Sequence, residues 1–112
     1  MAYDEELAGR LRALAGDEPG LSEQKMFGGL AFLVNGNMAI AASGQGGVLV
    51  RVDPAESAAL VEETVAYPME MRGRSMAGWL RVDGEHIADD GALERWVTRG
   101  VGYARSLPPK KR

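Results

Sequence analysis

Two short apolar runs, residues 30–34 and 38–42, stand on either side of Asn35-Gly36. Asn-Gly suits a type I′ turn, which needs positive φ at both central residues and matches the twist of paired antiparallel strands. Residues 30–42 are therefore predicted to fold back as a hairpin. Residues 43–47 form the next turn. Val48, Val50 and Val52 then alternate with Leu49 and Arg51, the period of a strand with one wetter face. A short further strand around residues 24–27 fits before the break at Gly28-Gly29.

Helical signals flank this β-rich stretch. Leu7, Leu11 and Leu14 fall on one stripe with Ala8 and Ala15, and Asp4, Glu5 and Glu6 sit where a helix dipole favours anions. Asp53-Pro54-Ala55-Glu56 reads as a helix start, with Asp53 as N-cap, Pro54 in the first turn and Glu56 able to reach back to the cap. Leu60 and Val61 give that helix its apolar face, and Tyr67-Pro68 is read as its end. A hairpin follows, from residues 69–71 across Gly73 to residues 78–82. Asp89 or Asp90 caps a third helix. Its apolar face is Leu93, Trp96, Val97, Gly100, Val101 and Ala104, the clearest helical period in the chain.

The predicted order is α-β-β-β-α-β-β-α, with room for one early strand more. Hairpins in place of βαβ crossovers imply an α+β two-layer sandwich: an antiparallel sheet of about five to six strands with three helices on one face. A length of 112 residues suits one domain, assigned here to residues 1–107, followed by a basic tail at 108–112. Pro108 and Pro109 stop the last helix, and the tail is expected to fray.

Composition removes several kinds of chemistry. The sequence has no cysteine and one histidine, His86, so disulfides, thiol catalysis and cysteine-held metal sites are excluded. No apolar run is long enough to span a bilayer, and the acidic opening Met-Ala-Tyr-Asp-Glu-Glu-Leu lacks the pattern of a signal peptide. A cytoplasmic protein without a membrane partner is expected. The net charge is −3, but the charge is uneven: residues 1–68 are acidic and residues 69–112 basic. Such asymmetry either marks a polyanion-binding face or is neutralised when the two ends pack together.

Candidate sites are few. Gly28-Gly29 and Gly44-Gln-Gly-Gly47 lack the lysine and the following helix of a phosphate loop, so they read as turns and bulges, and no cofactor is expected. His86 follows Asp83-Gly-Glu without a partner nucleophile and reads as a loop histidine. The pairs Asp89-Asp90 and Glu62-Glu63 fit helix ends and flanks better than an acid–base couple or a metal site. Among the internal methionines, Met69, Met71 and Met76 cluster with Arg72, Arg74 and Trp79. Methionine fills cores, yet Met, Arg and Trp together are also the composition of protein interfaces.

The stretch Lys25-Met-Phe-Gly-Gly-Leu-Ala-Phe-Leu-Val-Asn-Gly-Asn-Met38 resembles the opening motif of the TfoX/Sxy N-terminal domain family. Gly73-Arg-Ser-Met-Ala-Gly-Trp-Leu-Arg-Val82 resembles its second motif, and residues 96–108 resemble its final helix and Ala-Arg-Ser-Leu-Pro-Pro ending. The resemblance implies a two-layer domain with an antiparallel sheet, similar to secretion chaperones. It also implies kinship with bacterial regulators of competence for DNA uptake, which act with the cyclic-AMP receptor protein at promoters and are not known enzymes. Those regulators carry a second, C-terminal domain with no counterpart in this sequence.

The leading expectation is thus a non-enzymatic, regulatory protein-interaction module without metal or cofactor. Its partner surface is assigned to Lys25, Met26, Arg72, Arg74, Met76 and Trp79. The partner would be a protein, such as transcription machinery or a regulator, or a second copy forming a homodimer. The alternative is a small-ligand binder or enzyme that uses a sheet–helix cleft, with His86, Asp83 and Arg81 as its polar groups. Direct DNA binding is disfavoured by a pI near 5.1.

Overall fold

Three aspartates start the three helices. The Asp4 carboxylate accepts from the backbone N–H groups of Glu6 and Leu7 and opens α1 (Glu5–Ala15). Asp53 accepts from Ala55 N–H and opens α2 (Pro54–Glu63). Asp89 accepts from Ala92 N–H and opens α3 (Asp90–Ser106). Each satisfies a donor that the first helical turn leaves unpaired. The return contact expected from the Glu56 side chain is absent among the described residues. The computed structural model describes residues 3–26, 28–44 and 46–109.

Between α1 and α2 run β1 (Leu21–Met26), β2 (Gly29–Val34), β3 (Asn37–Ala42) and β4 (Val48–Arg51). After α2 come β5 (Tyr67–Met71), β6 (Arg74–Val82) and a short 3-10 turn, Gly84–Ile87. The six strands form one antiparallel sheet in the order β1-β2-β3-β4-β6-β5. This is the expected α+β class, with the early strand present as β1. That strand begins at Leu21, ahead of the predicted Gln24, and Phe27 lies outside the described residues. The predicted hairpin turn is found: Asn35 and Gly36 have φ of 53° and 84°, and Val34 pairs with Asn37 across them.

Two expectations need correction. Tyr67-Pro68 does not end α2. The helix stops at Thr64, whose hydroxyl and backbone N–H both donate to the Leu60 carbonyl. Tyr67 and Pro68 begin β5, an edge strand, where a missing proline donor is tolerated. Nor is the expected tail loose from its first residue, because the Pro108 carbonyl accepts a 2.9 Å hydrogen bond from the buried Asn37 side chain. Lys110, Lys111 and Arg112 lie outside the described residues.

The sheet buries both faces. On the first, Phe32, Val34, Ile40, Val48, Val50, Leu80 and Val82 form one core with Leu7 and Leu11 of α1, Leu60 of α2, and Leu93, Trp96, Val97 and Val101 of α3. All three helices pack on this face, giving two layers. The second face holds a smaller cluster of Ala31, Leu33, Met38, Ala41, Leu49 and Met69, with half-buried Met26 and Trp79 packed against it. No helix residue belongs to this cluster among the described residues. The face around Leu49 and Arg51 is therefore drier than the alternation predicts, because every strand contributes an apolar side chain to it.

The sheet is narrowest in bonding at its centre. β3 and β4 pair over three residues, Ile40↔Val50 to Ala42↔Val48. Beyond Val50, β4 continues with β6 alone through Arg51↔Trp79. α3 crosses here. A Cβ on Gly100 would collide with the Ala39 carbonyl oxygen and come within 3.3 Å of Val50. The Arg51 guanidinium lies 5.2 Å from the Trp79 ring centroid and 5.7 Å from that of Tyr103 on α3, so it binds β6 to α3 at the parting.

Candidate functional site

The arginines divide into those with internal partners and those without. Arg10 of α1 reaches Asp90 at 2.8 Å and the Ile87 and Ala88 carbonyls. Arg12 grips Glu23 of β1 through two hydrogen bonds, and Arg105 of α3 grips Glu18 likewise. In both pairs the guanidinium's hydrogen bonds hold the carboxyl below its ordinary range. Arg10–Asp90 and Arg105–Glu18 both join the two halves of the chain, but they leave the charge imbalance between the halves unchanged, because Arg10 and Asp90 are each the minority charge of their half. Arg51 and Arg99 lie over aromatic rings, and Arg81 donates to the Ser43 hydroxyl at 2.9 Å. Arg72, Arg74, Arg95 and Lys25 have no such partner among the described residues.

Arg72 and Arg74 sit at the β5–β6 turn. Met71 pairs with Arg74, and the two central residues, Arg72 and Gly73, have φ of 56° and 78°. This is the same turn geometry as Asn35-Gly36, but with arginine where asparagine or glycine is favoured. Arg72 is held in the left-handed region, which costs an ordinary side chain roughly 1–2 kcal/mol. Both arginines are exposed. Met76 and Trp79 follow on β6 and are half-buried. The register of β5 with β6 shifts between Pro68 and Glu70, so residues 76–79 bulge opposite Met69.

The structure keeps four of the six predicted surface residues together and separates the other two. Arg72, Arg74, Met76 and Trp79 share the β5–β6 hairpin. Lys25 and Met26 lie on β1, at the opposite edge of the sheet. Met26 and Trp79 nevertheless border the same second-face cluster. Of the alternative reading's residues, only His86 lines the cleft described below. Asp83 accepts from the Tyr67 hydroxyl at 2.8 Å, which raises the phenol above its usual range, while Arg81 faces Ser43.

His86 stands instead in a cleft between the end of α2 and α3, with a volume near 330 Å³. Its walls include Glu63, Val65, Trp96, Arg95 and Arg99. Arg99 lies 5.7 Å from the Trp96 ring centroid. This cationic, partly apolar cleft escaped the sequence reading. Its signal was available in Arg95 and Arg99, four residues apart on the polar face of the third helix. Among the described residues, no three His, Asp or Glu side chains are grouped to hold a metal ion, and no helix is long and apolar enough to cross a membrane.

The fold and its surfaces define an open-sheet α+β module, with helices on one face and a charged hairpin projecting from one edge. The chain belongs to the TfoX N-terminal domain family, whose model matches residues 13–104. No curated protein matches the chain.

Proposed function

We propose that this TfoX-like module is a non-catalytic adaptor, an accessory to transcriptional regulation, and that it holds an acidic protein surface through its β5–β6 hairpin. The observation that carries this reading is Arg72. An exposed arginine occupies a backbone conformation that favours asparagine or glycine, and among the described residues no side-chain hydrogen bond or ion pair offsets the strain. Strain kept at an exposed turn points to a use outside the fold. Arg74 adds a second unpaired cation, and Met76 and Trp79 supply adjacent apolar surface.

The test is Arg72→Asn combined with Arg74→Gln. The turn keeps its geometry and gains a better turn residue. Affinity capture from the source cell extract should lose its specific protein partner while the variant melts no lower than wild type. An Arg95→Gln control should retain that partner. Identical capture by all three proteins overturns the assignment.

The cleft at His86 supports a second reading, the binding of a small anion by Arg95 and Arg99 beside His86. A ligand that binds only the folded state raises its melting temperature by mass action. A scan of phosphorylated and carboxylate metabolites should show such a rise, abolished by Arg99→Gln. A flat scan removes this reading.

A further inference from the structure

The two edges of the sheet differ in what they offer another strand. At one edge, Pro68 removes a donor from β5, and the register breaks beside it. At the other, β1 is continuous with β2 from Leu21↔Val34 to Met26↔Gly29. Its residues 22–25, Ser-Glu-Gln-Lys, are all exposed.

The hydrogen-bond parity of β1 is fixed. The Gly20 carbonyl accepts from Asn35 N–H at 3.0 Å, in the same register as the ladder. Antiparallel bonds recur at every second residue. Ser22, Gln24 and Met26 therefore exchange bonds with β2, while Glu23 and Lys25 turn both N–H and C=O outward. Leu21 N–H already donates to the Glu18 carbonyl.

We propose that β1 pairs antiparallel with β1 of a second copy, about a two-fold axis at Gln24, to form one continuous twelve-stranded sheet. Parity admits only axes that oppose outward residues. An axis at Glu23 sets Glu23 against its own copy, and an axis at Lys25 sets Lys25 against its own copy. The axis at Gln24 sets Glu23 against the second copy's Lys25, twice, and brings the two Gln24 amides together. Opposite charges directly across a strand pair stabilise it, and like charges oppose it. Glu23 already accepts both bonds of Arg12, and a carboxylate has lone pairs left for a lysine. This inference is independent of the hairpin's role, since it uses the opposite edge of the sheet.

The test is sedimentation velocity of the full chain over a concentration series. Wild type should pass from monomer to dimer. Lys25→Glu sets acid against acid and Glu23→Lys sets base against base, so each alone should weaken the dimer at least tenfold. Mixed, the two variants should form a 1:1 heterodimer. Lys25→Pro should also stay monomeric, because it deletes an outward donor and leaves the β2 ladder intact. Circular dichroism confirms that each variant is folded. Wild type that is monomeric at every concentration overturns the proposal. So does a dimer unmoved by Lys25→Glu, or a mixture of the charge variants that stays monomeric.

Discussion

Gly100 shows how a single missing atom sets the distance between layers. It stands on the apolar stripe of α3, where the helix meets the Ala39 carbonyl. Gly100→Ala should cost about 1–3 kcal/mol, the usual penalty for overpacking, seen as a lower urea midpoint. Gly102 is the control. It lies in the same helix, and among the described residues nothing comes within 4 Å of its Cβ position, so Gly102→Ala should raise stability by up to ~1 kcal/mol. Arg72 carries the opposite lesson. Arg72→Asn should stabilise the fold by about 1 kcal/mol, because asparagine tolerates the left-handed backbone better. Asn35-Gly36 was legible in the sequence because its composition matches its turn. Arg72-Gly73 was placed in a hairpin by Gly73, but the strain on Arg72 becomes visible only with φ in hand.

Helices were legible at the level of elements because their caps and stripes are written locally. Asp53 and Asp89 cap as expected, and every residue of the α3 stripe is buried. The start of β1 leaves little trace in the sequence because its middle is polar, as befits an edge strand with one side in water. What joins the elements is less local. Arg12 ties α1 to β1, and Arg105 ties α3 to the loop after α1. Both carboxyl partners lie below their ordinary value of 4.5. A depressed folded value gives stability that is complete above the unfolded value and is lost as pH falls through the folded one. Unfolding midpoints measured from pH 7 to pH 3 should therefore fall on the acid side. Glu18→Gln with Glu23→Gln should be less stable at pH 7 and show a shallower acid fall.

For the molecule as a whole, spatial order was the part that local patterns could not supply. Antiparallel pairing and three helices follow from turns and periodicity, but the placement of β6 between β4 and β5 does not. That placement decided the candidate surface. Residues near one another in sequence, from Arg72 to Trp79, stayed together, while Lys25 and Met26 went to the far edge. The same order groups the strands into two sequence-contiguous triplets, β1 to β3 and β4 to β6, joined through the three residue pairs of β3 with β4. α3 lies across that join, with Gly100 against Ala39 on one side and Val50 on the other. Each triplet leaves the ribosome ahead of the helix that clasps them. Until α3 is made, only those three pairs hold the two half-sheets together, and the part of the core face that α3 covers stays open.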